Sequence, residues 1–262
     1  MLERFRQFWT NVWAPLANLF LRWGISPNTV TFVGTVGVVA GAVIFFPQGK
    51  LLVGVLVITA FVFSDIMDGY MARASGKVST FGAFWDSTLD RFSDIALFLG
   101  LIYLYATLRR TDYVMVAALG LMFSIMTSYA RARAESLIEK CKVGFMERPE
   151  RIVLFMIGAF PSPIPPFTPR MAAVQWVILI LSIVTVANRI HYTYLVLNNK
   201  PIPTGSNPIT RVFWRGFFWR DERGSLPYDL WVIVILAFIW LTPPDWLRDP
   251  TASGMAVWEY LR

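Results

Sequence analysis

Asp65-Ile66-Met67-Asp68-Gly69-Tyr70-Met71-Ala72-Arg73, followed after eight residues by Gly82-Ala83-Phe84-Trp85-Asp86-Ser87-Thr88-Leu89-Asp90, decides how the chain is read. Apolar text runs into the first segment from Leu51 and out of the second to Leu108, so these carboxylates stand in helices otherwise suited to lipid. On a helix, residues i and i+3 share a face, as do i and i+4. Asp65 and Asp68 therefore project together from one helix, and Asp86 and Asp90 from the next. The short link at 74–80 makes the two helices antiparallel neighbours, so four carboxylates converge. In a dry setting they repel one another and are driven towards the protonated form. Hard divalent cations such as Mg²⁺ or Mn²⁺, which prefer oxygen ligands, relieve that conflict. Two ions held by shared carboxylates can clamp a pyrophosphate and stabilise both an attacking and a leaving oxygen. Gly69 removes a side chain so that a ligand can approach the backbone, and Arg73 offers a charged fork to phosphate oxygens. Any one of the aspartates reads as a helix-end acid paired with Arg73, Lys77 or Arg91; four at two helical spacings do not. A cation pathway through a transporter is the other functional reading, but its acids belong near mid-membrane rather than at helix ends.

Outward from this motif the chain is apolar. Its 262 residues are 56% hydrophobic and 16% charged, with a mean hydropathy of +0.53. That is too little charge to cover a water-soluble domain of this length. The expected fold class is an all-α integral membrane protein. Spans are expected at Val30–Phe46, Leu51 to about Ala74, Phe81–Leu108, Tyr113–Ser136, from Ile152 into the prolines at 161–166, and Ala172–Val196. Met1–Trp23 alternates arginines with Phe5, Phe8, Trp9, Trp13, Leu16, Leu19 and Phe20, the pattern of a helix lying along the interface. It carries no short apolar core ending in a small-residue cleavage site. Residues 197–228 read as a polar, Pro/Gly-containing stretch, and Asp229–Thr242 as an apolar run too short to span comfortably.

Lone Cys141 rules out an intramolecular disulfide and, with the single His191, argues against a Cys/His zinc site. The net charge of +7 fits lysine and arginine at cytoplasmic helix ends and lipid headgroups better than nucleic acid. With the N-terminus in the cytoplasm, most Lys and Arg fall inside, leaving Lys50, Arg109, Arg110 and Arg170 outside. Both aspartate pairs then lie at the cytoplasmic side of the membrane.

The motif resembles the signature of the CDP-alcohol phosphotransferase family, D-x₂-D-G-x₂-A-R-x₈-G-x₃-D-x₃-D, at Asp65, Asp68, Gly69, Ala72, Arg73, Gly82, Asp86 and Asp90. The likeness extends from Pro27-Asn28-Thr29-Val30-Thr31 to about Arg189 and not beyond 197. It implies six transmembrane helices preceded by an interfacial helix, a homodimer, and an active site open to the cytoplasm at the plasma membrane. It divides the chain into an interfacial helix at 1–26, a membrane domain at 27–196 and an extension at 197–262. It also implies two metal ions held by Asp65, Asp68, Asp86 and Asp90. Asp90 would serve as the base that takes the acceptor's hydroxyl proton as the oxygen attacks the β-phosphorus of CDP-diacylglycerol and CMP leaves. Pro27, Asn28, Thr31, Gly69, Arg73 and Ser79 would line the CDP-diacylglycerol site.

Tyr129-Ala-Arg131-Ala-Arg133-Ala-Glu135, Gly144-Phe-Met-Glu147-Arg148-Pro149-Glu150-Arg151 and Asn188-Arg189-Ile190-His191 resemble the phosphatidylinositol-phosphate synthase branch. In that branch basic residues of the later helices grip the phosphate of inositol 1-phosphate. It implies a lysine where Arg131 stands; arginine keeps the charge but changes reach and donor geometry. Apart from the family, Arg131, Arg151 and Arg189 sit near the ends of three later helices, where they can converge on a second anion or snorkel to lipid phosphates. A phosphorylated polyol acceptor needs such a pocket; free inositol and serine do not, and glycerol 3-phosphate is the main rival. His191 reads as a polar interface residue and Cys141 as a loop residue.

Overall fold

The computed structural model of the chain describes residues 13–76, 79–219, 223 and 225–252, apart from the side chains of Asp65 and Pro208. The described residues form helices joined by turns, with no strand among them. Helix α1 covers residues 13–22. It is followed by α2 (Pro27–Phe45), α3 (Leu51–Val62), α4 (Ser64–Ala74), α5 (Thr80–Thr107), α6 (Thr111–Glu135) and α7 (Arg148–Ala159). Then come α8 (Met171–Leu197), α9 (Pro208–Phe218), α10 (Leu226–Leu241) and the short α11 (Pro244–Leu247). Most of the anticipated interfacial stretch, with Arg4, Arg6, Phe5, Phe8 and Trp9, lies outside the described residues, as do Lys77 and Arg220.

The chain is a multi-pass membrane protein: α2, the α3–α4 run Leu51–Ala74, α6 and α8 are each long and apolar enough to cross a bilayer. Their outer faces carry exposed large apolar side chains, such as Phe32, Val36 and Ile44 on α2 and Ile180, Ile183 and Ile190 on α8. Helix α5 has the length, 28 residues, but holds Asp86, Asp90, Arg91 and Asp94. The helix expected from Ile152 is 12 residues long, about 18 Å at 1.5 Å each, and ends where Phe160 turns extended before Pro161. Helix α10, 16 residues, is likewise short of a ~30 Å hydrocarbon core.

The chain divides into two compact units, one holding the described residues up to Leu108 and the other those from Arg109 on. In the first, α2 is the central helix and packs against α3, α4 and α5. Gly34, Gly37 and Gly41 make that approach possible. A Cβ on Gly37 would stand 2.2 Å from the Phe61 ring, and one on Gly34 would overlap Ser64 Oγ at 1.8 Å. Small residues at such contacts let helices close up where lipid supplies no hydrophobic drive. A Cβ on Gly100 of α5 would likewise stand 2.6 Å from Ala42 O.

In the second unit α8 packs against α6 and α7. The stretch after Leu197, which the sequence leaves without a role, packs against α8 through its described helices α9, α10 and α11. Within it, Asn207 and Thr210 form a capping box that starts α9. At the far end, Asp249 reaches across 77 positions to accept the N–H of Ala172, in the first turn of α8, at 3.0 Å. Nearby, Arg110 Nη1 donates to Arg248 O at 2.6 Å and the Tyr113 hydroxyl donates to Leu247 O.

Candidate active site

Two helices of the first unit carry the acidic motif. The break at Phe63, shared as the end of α3 and the start of α4, sets Asp65 in the first turn of α4 and Asp68 one turn later. Ser79 caps α5 by accepting the N–H of Gly82 at 2.9 Å, and places Asp86 and Asp90 in its second and third turns. Asp68 is 8% exposed and accepts from Thr31 Oγ1 at 2.5 Å. That bond ties the motif to the start of α2, where Ser26 and Pro27 begin the helix. Asp90 lies 3.7 Å from Arg91 Nη1, with a side chain 16% exposed. One turn beyond Asp90, Asp94 is buried at 2% on the same stripe, an acid the motif does not include.

The donors here are carboxylate oxygens, hard ligands that suit Mg²⁺ or Mn²⁺ and not a soft metal. Among the described residues no three acidic, histidine or cysteine side chains surround one point, and the side chain of Asp65 is outside that set. The remaining expected residues gather at the α2 start. Pro27 and Thr31 are buried there. Asn28 O accepts from Trp85 Nε1 at 3.3 Å, and Asn28 Oδ1 would be 3.5 Å from a Cβ on Gly82. Gly69 differs from the packing glycines: a Cβ there would meet only the Arg73 guanidinium, at 3.5 Å. Nothing among the described residues forbids a side chain at 69, so its absence suits a ligand lying along that face beside Arg73. The N-termini of α2 and α5 add oriented N–H groups and positive dipole ends, which favour phosphate oxygens.

The second unit brings Arg131, Arg151 and Arg189 together. Arg189, 2% exposed, donates from Nε to Val143 O at 3.1 Å and from Nη1 to Thr127 O at 2.5 Å. Arg151, 1% exposed, donates from Nη1 to Thr127 Oγ1 at 3.2 Å, so both arginines are fixed to one residue of α6. Arg131 donates to Glu135 at 3.1 Å and to Glu147 Oε1 at 3.0 Å. Arg189 Nη2 is buried, makes no hydrogen bond, and stands 3.5 Å from the same Glu147 oxygen. A buried guanidinium corner without a hydrogen bond marks a place where an anion is wanted.

Glu147 is therefore the hub of the cluster, together with Arg223 at 3.0 Å from its other oxygen. Neither was singled out from sequence; Glu147 stood among bases in the stretch already quoted, whereas Arg223 lies in the extension and carries no local signal. His191 stacks on Trp214 and Phe218 of α9, at 6.3 and 5.7 Å between centroids, in keeping with an interface residue. Cys141 is buried in its loop, and that burial pushes its thiol up.

Known proteins are similar to this chain in sequence and in fold. A sequence profile of the CDP-alcohol phosphatidyltransferase family matches residues 24–193. The phosphatidylinositol phosphate synthase of Cutibacterium acnes is 42% identical over 172 residues, covering 62% of this chain and 83% of that protein. Its counterpart in Streptomyces avermitilis is 39% identical over 198 residues, covering 72% and 81%. Among solved structures, Mycobacterium tuberculosis phosphatidylinositol phosphate synthase with CDP-DAG bound matches with a TM-score of 0.63 at 38% identity, over 69% of this chain and 92% of that one. The same enzyme in complex with manganese and citrate matches with a TM-score of 0.64, over 69% and 88%. The acidic motif on α4 and α5 and the profile around it thus agree: the chain belongs to the CDP-alcohol phosphatidyltransferase family.

Proposed function

We propose that the protein transfers the phosphatidyl group of CDP-diacylglycerol to inositol 1-phosphate, giving phosphatidylinositol phosphate and CMP. The observation that carries the acceptor is the arginine cluster: two guanidinium groups at least 97% hidden from solvent, one with a buried nitrogen that makes no hydrogen bond. Lipid headgroups at the surface are poor partners for groups this buried, whereas the compact phosphate of a small acceptor fits them. The names of the relatives point the same way.

In this reading Asp65, Asp68, Asp86 and Asp90 hold two divalent ions, Mg²⁺ or Mn²⁺. Bound there, the ions would neutralise the pyrophosphate and the leaving CMP. Thr31 holds the Asp68 carboxylate in place, which leaves its orientation fixed before substrate arrives. Pro27, Asn28, Thr31, Gly69, Arg73 and Ser79 line the CDP-diacylglycerol site, and Arg131, Arg151 and Arg189 hold the acceptor's phosphate. Asp90 takes the proton of the acceptor hydroxyl, whose oxygen attacks the β-phosphorus. The membrane domain, 27–196, is read as six spans preceded by an interfacial helix at 1–26 and followed by the extension at 197–262. α5 and α7 complete the count given by the four long apolar helices. The chain is placed in the plasma membrane as a homodimer, with its N-terminus and active site facing the cytoplasm.

The cluster would also hold glycerol 3-phosphate, which makes it the second reading. Purified full-length protein with CDP-diacylglycerol and Mn²⁺ separates the two. CMP release that needs inositol 1-phosphate and stops with EDTA supports the proposal. Release only with glycerol 3-phosphate would transfer the assignment to that acceptor.

A further inference from the structure

An anion already sits in the arginine pocket, and it belongs to the protein. Glu147 Oε1 faces Arg131 Nη1 at 3.0 Å and Arg189 Nη2 at 3.5 Å. Its other oxygen, Oε2, accepts from Arg223 Nη2 at 3.0 Å. Arg223 in turn is steadied by Glu150, which accepts from its Nε at 2.7 Å and from the Tyr228 hydroxyl at 3.2 Å. Arg223 and Tyr228 lie in the extension, after residue 193 where the family match ends.

The extension is seated on the loop that carries Glu147. Gly144 N donates to Phe218 O at 3.0 Å, and the Phe145 ring packs on Trp219 and Tyr228 at 4.4 and 5.6 Å. These contacts bring Arg223 to the outer side of the Glu147 carboxylate. The arginines on the two sides of Glu147 are not equally buried. Arg189 is pinned by Val143 and Thr127 and is 3% exposed at its side chain, whereas Arg223 is 42% exposed. A phosphate monoester brings more charge and more acceptor oxygens than a carboxylate. It therefore outcompetes Glu147 for Arg131 and Arg189, provided the displaced carboxylate keeps a partner.

We infer that Glu147 is a resident counter-ion of the acceptor pocket which moves fully onto Arg223 when the acceptor's phosphate binds, so that the extension sets acceptor affinity through Arg223. The inference rests on the reading of the arginine cluster as the acceptor site. Arg223 is a positioning residue here: it acts through Glu147 and touches no substrate. Without it, Arg131 and Arg189 are the partners left to Glu147 among the described residues, and Glu147 competes harder with the incoming phosphate.

The test is a double-variant cycle on the full chain, with CMP release measured while each substrate is varied in turn. Arg223→Gln raises the acceptor KM about fivefold, the scale of one partly exposed charge pair, and leaves kcat and the CDP-diacylglycerol KM unchanged. Glu147→Gln lowers the acceptor KM, and in that background Arg223→Gln has no further effect. Arg223→Lys, which keeps the charge, restores most of the affinity. An equal rise in KM from Arg223→Gln with or without Glu147 would overturn the inference, since Arg223 would then act directly or merely fasten the extension. No change in KM would overturn it too. If Glu147→Gln does not accumulate in folded form, the uncharged and similarly long Glu147→Met takes its place in the cycle. Calorimetric titration with inorganic phosphate alone reads the same pocket whichever alcohol is the acceptor. Weaker phosphate binding in Arg223→Gln, without turnover on inositol 1-phosphate, would overturn only the substrate reading. Unchanged phosphate binding would overturn this inference.

Discussion

Replacing Arg189 with alanine separates the two substrates. The side chain is 3% exposed and makes three distinct contacts: Nε to Val143 O, Nη1 to Thr127 O, and Nη2 at 3.5 Å from Glu147. Two of these are structural. Val143 lies in the loop between α6 and α7, and stranding its buried carbonyl costs about 1–3 kcal/mol of stability. The third corner is the one proposed to meet the acceptor's phosphate, and a hydrogen bond to a charged group contributes about 1.5–3 kcal/mol. Loss of that bond corresponds to roughly a 10- to 150-fold rise in acceptor KM. The CDP-diacylglycerol KM should stay within about twofold, because the residues that Arg189 contacts, Val143, Thr127 and Glu147, are not among its proposed ligands. Arg189→Lys should fall between, since an ammonium keeps the charge but cannot reproduce the fork that reaches Val143 and Thr127 together. The assay is the initial rate of CMP release with each substrate varied separately, alongside thermal unfolding in detergent. Equal rises in both KM values, or an unchanged acceptor KM in folded protein, would refute the assignment of Arg189.

Asp90→Asn should retain CDP-diacylglycerol binding within about threefold while turnover falls by about 10² or more, as expected when a general base is lost; near-normal turnover would remove Asp90 from that role. Gly69→Ala should lower activity without lowering the unfolding temperature, because a Cβ there meets nothing in the protein closer than 3.5 Å; full activity would show that no ligand needs that space. Asp249→Ala should destabilise the fold by about 1 kcal/mol through loss of the bond to the first turn of α8. Burial holds the Asp249 carboxyl above the usual carboxylate range, against the pull of Thr251 and Ala172. Its contribution is thus greatest below the ordinary carboxylate pKa and declines as pH rises through the folded value. Asp249→Asn, which keeps an acceptor oxygen and cannot ionise, should therefore gain stability relative to wild type as pH rises through the carboxylate range in thermal unfolding; a variant that instead loses stability relative to wild type over that range would contradict this.

Local signals account for what could be read from sequence. Ser26 followed by Pro27, and Ser79 before Thr80, are helix starts, and the capped helices begin there. Asp65, Asp68, Asp86 and Asp90 were legible because helical spacing turns a sequence interval into a shared face. Asp94 continues the stripe at the same interval yet falls outside the motif, so it went unnoticed. The stretch after Leu197 was harder. Pro201, Pro203 and Gly205 suggest a loop, and they mask the start of α9, although Asn207-Pro208-Ile209-Thr210 is a cap sequence. The pairing of Arg223 with Glu147, 76 positions apart, and of Asp249 with Ala172, 77 apart, has no local signature at all. Such contacts arise only once α8 and its neighbours have packed, and no periodicity encodes them. Charge in apolar text points to Arg131, Arg151 and Arg189, but not to the carboxylate that balances them.

The most direct test offers the purified protein a choice. One reaction holds CDP-diacylglycerol, Mn²⁺ and equal amounts of inositol 1-phosphate, free inositol and glycerol 3-phosphate, and the lipid product is identified by mass spectrometry. Phosphatidylinositol phosphate as the main product, formed by wild type and not by Asp90→Asn, is the expected result. Phosphatidylinositol or phosphatidylglycerol phosphate in its place, or no phosphatidyl transfer to any acceptor, would contradict the account.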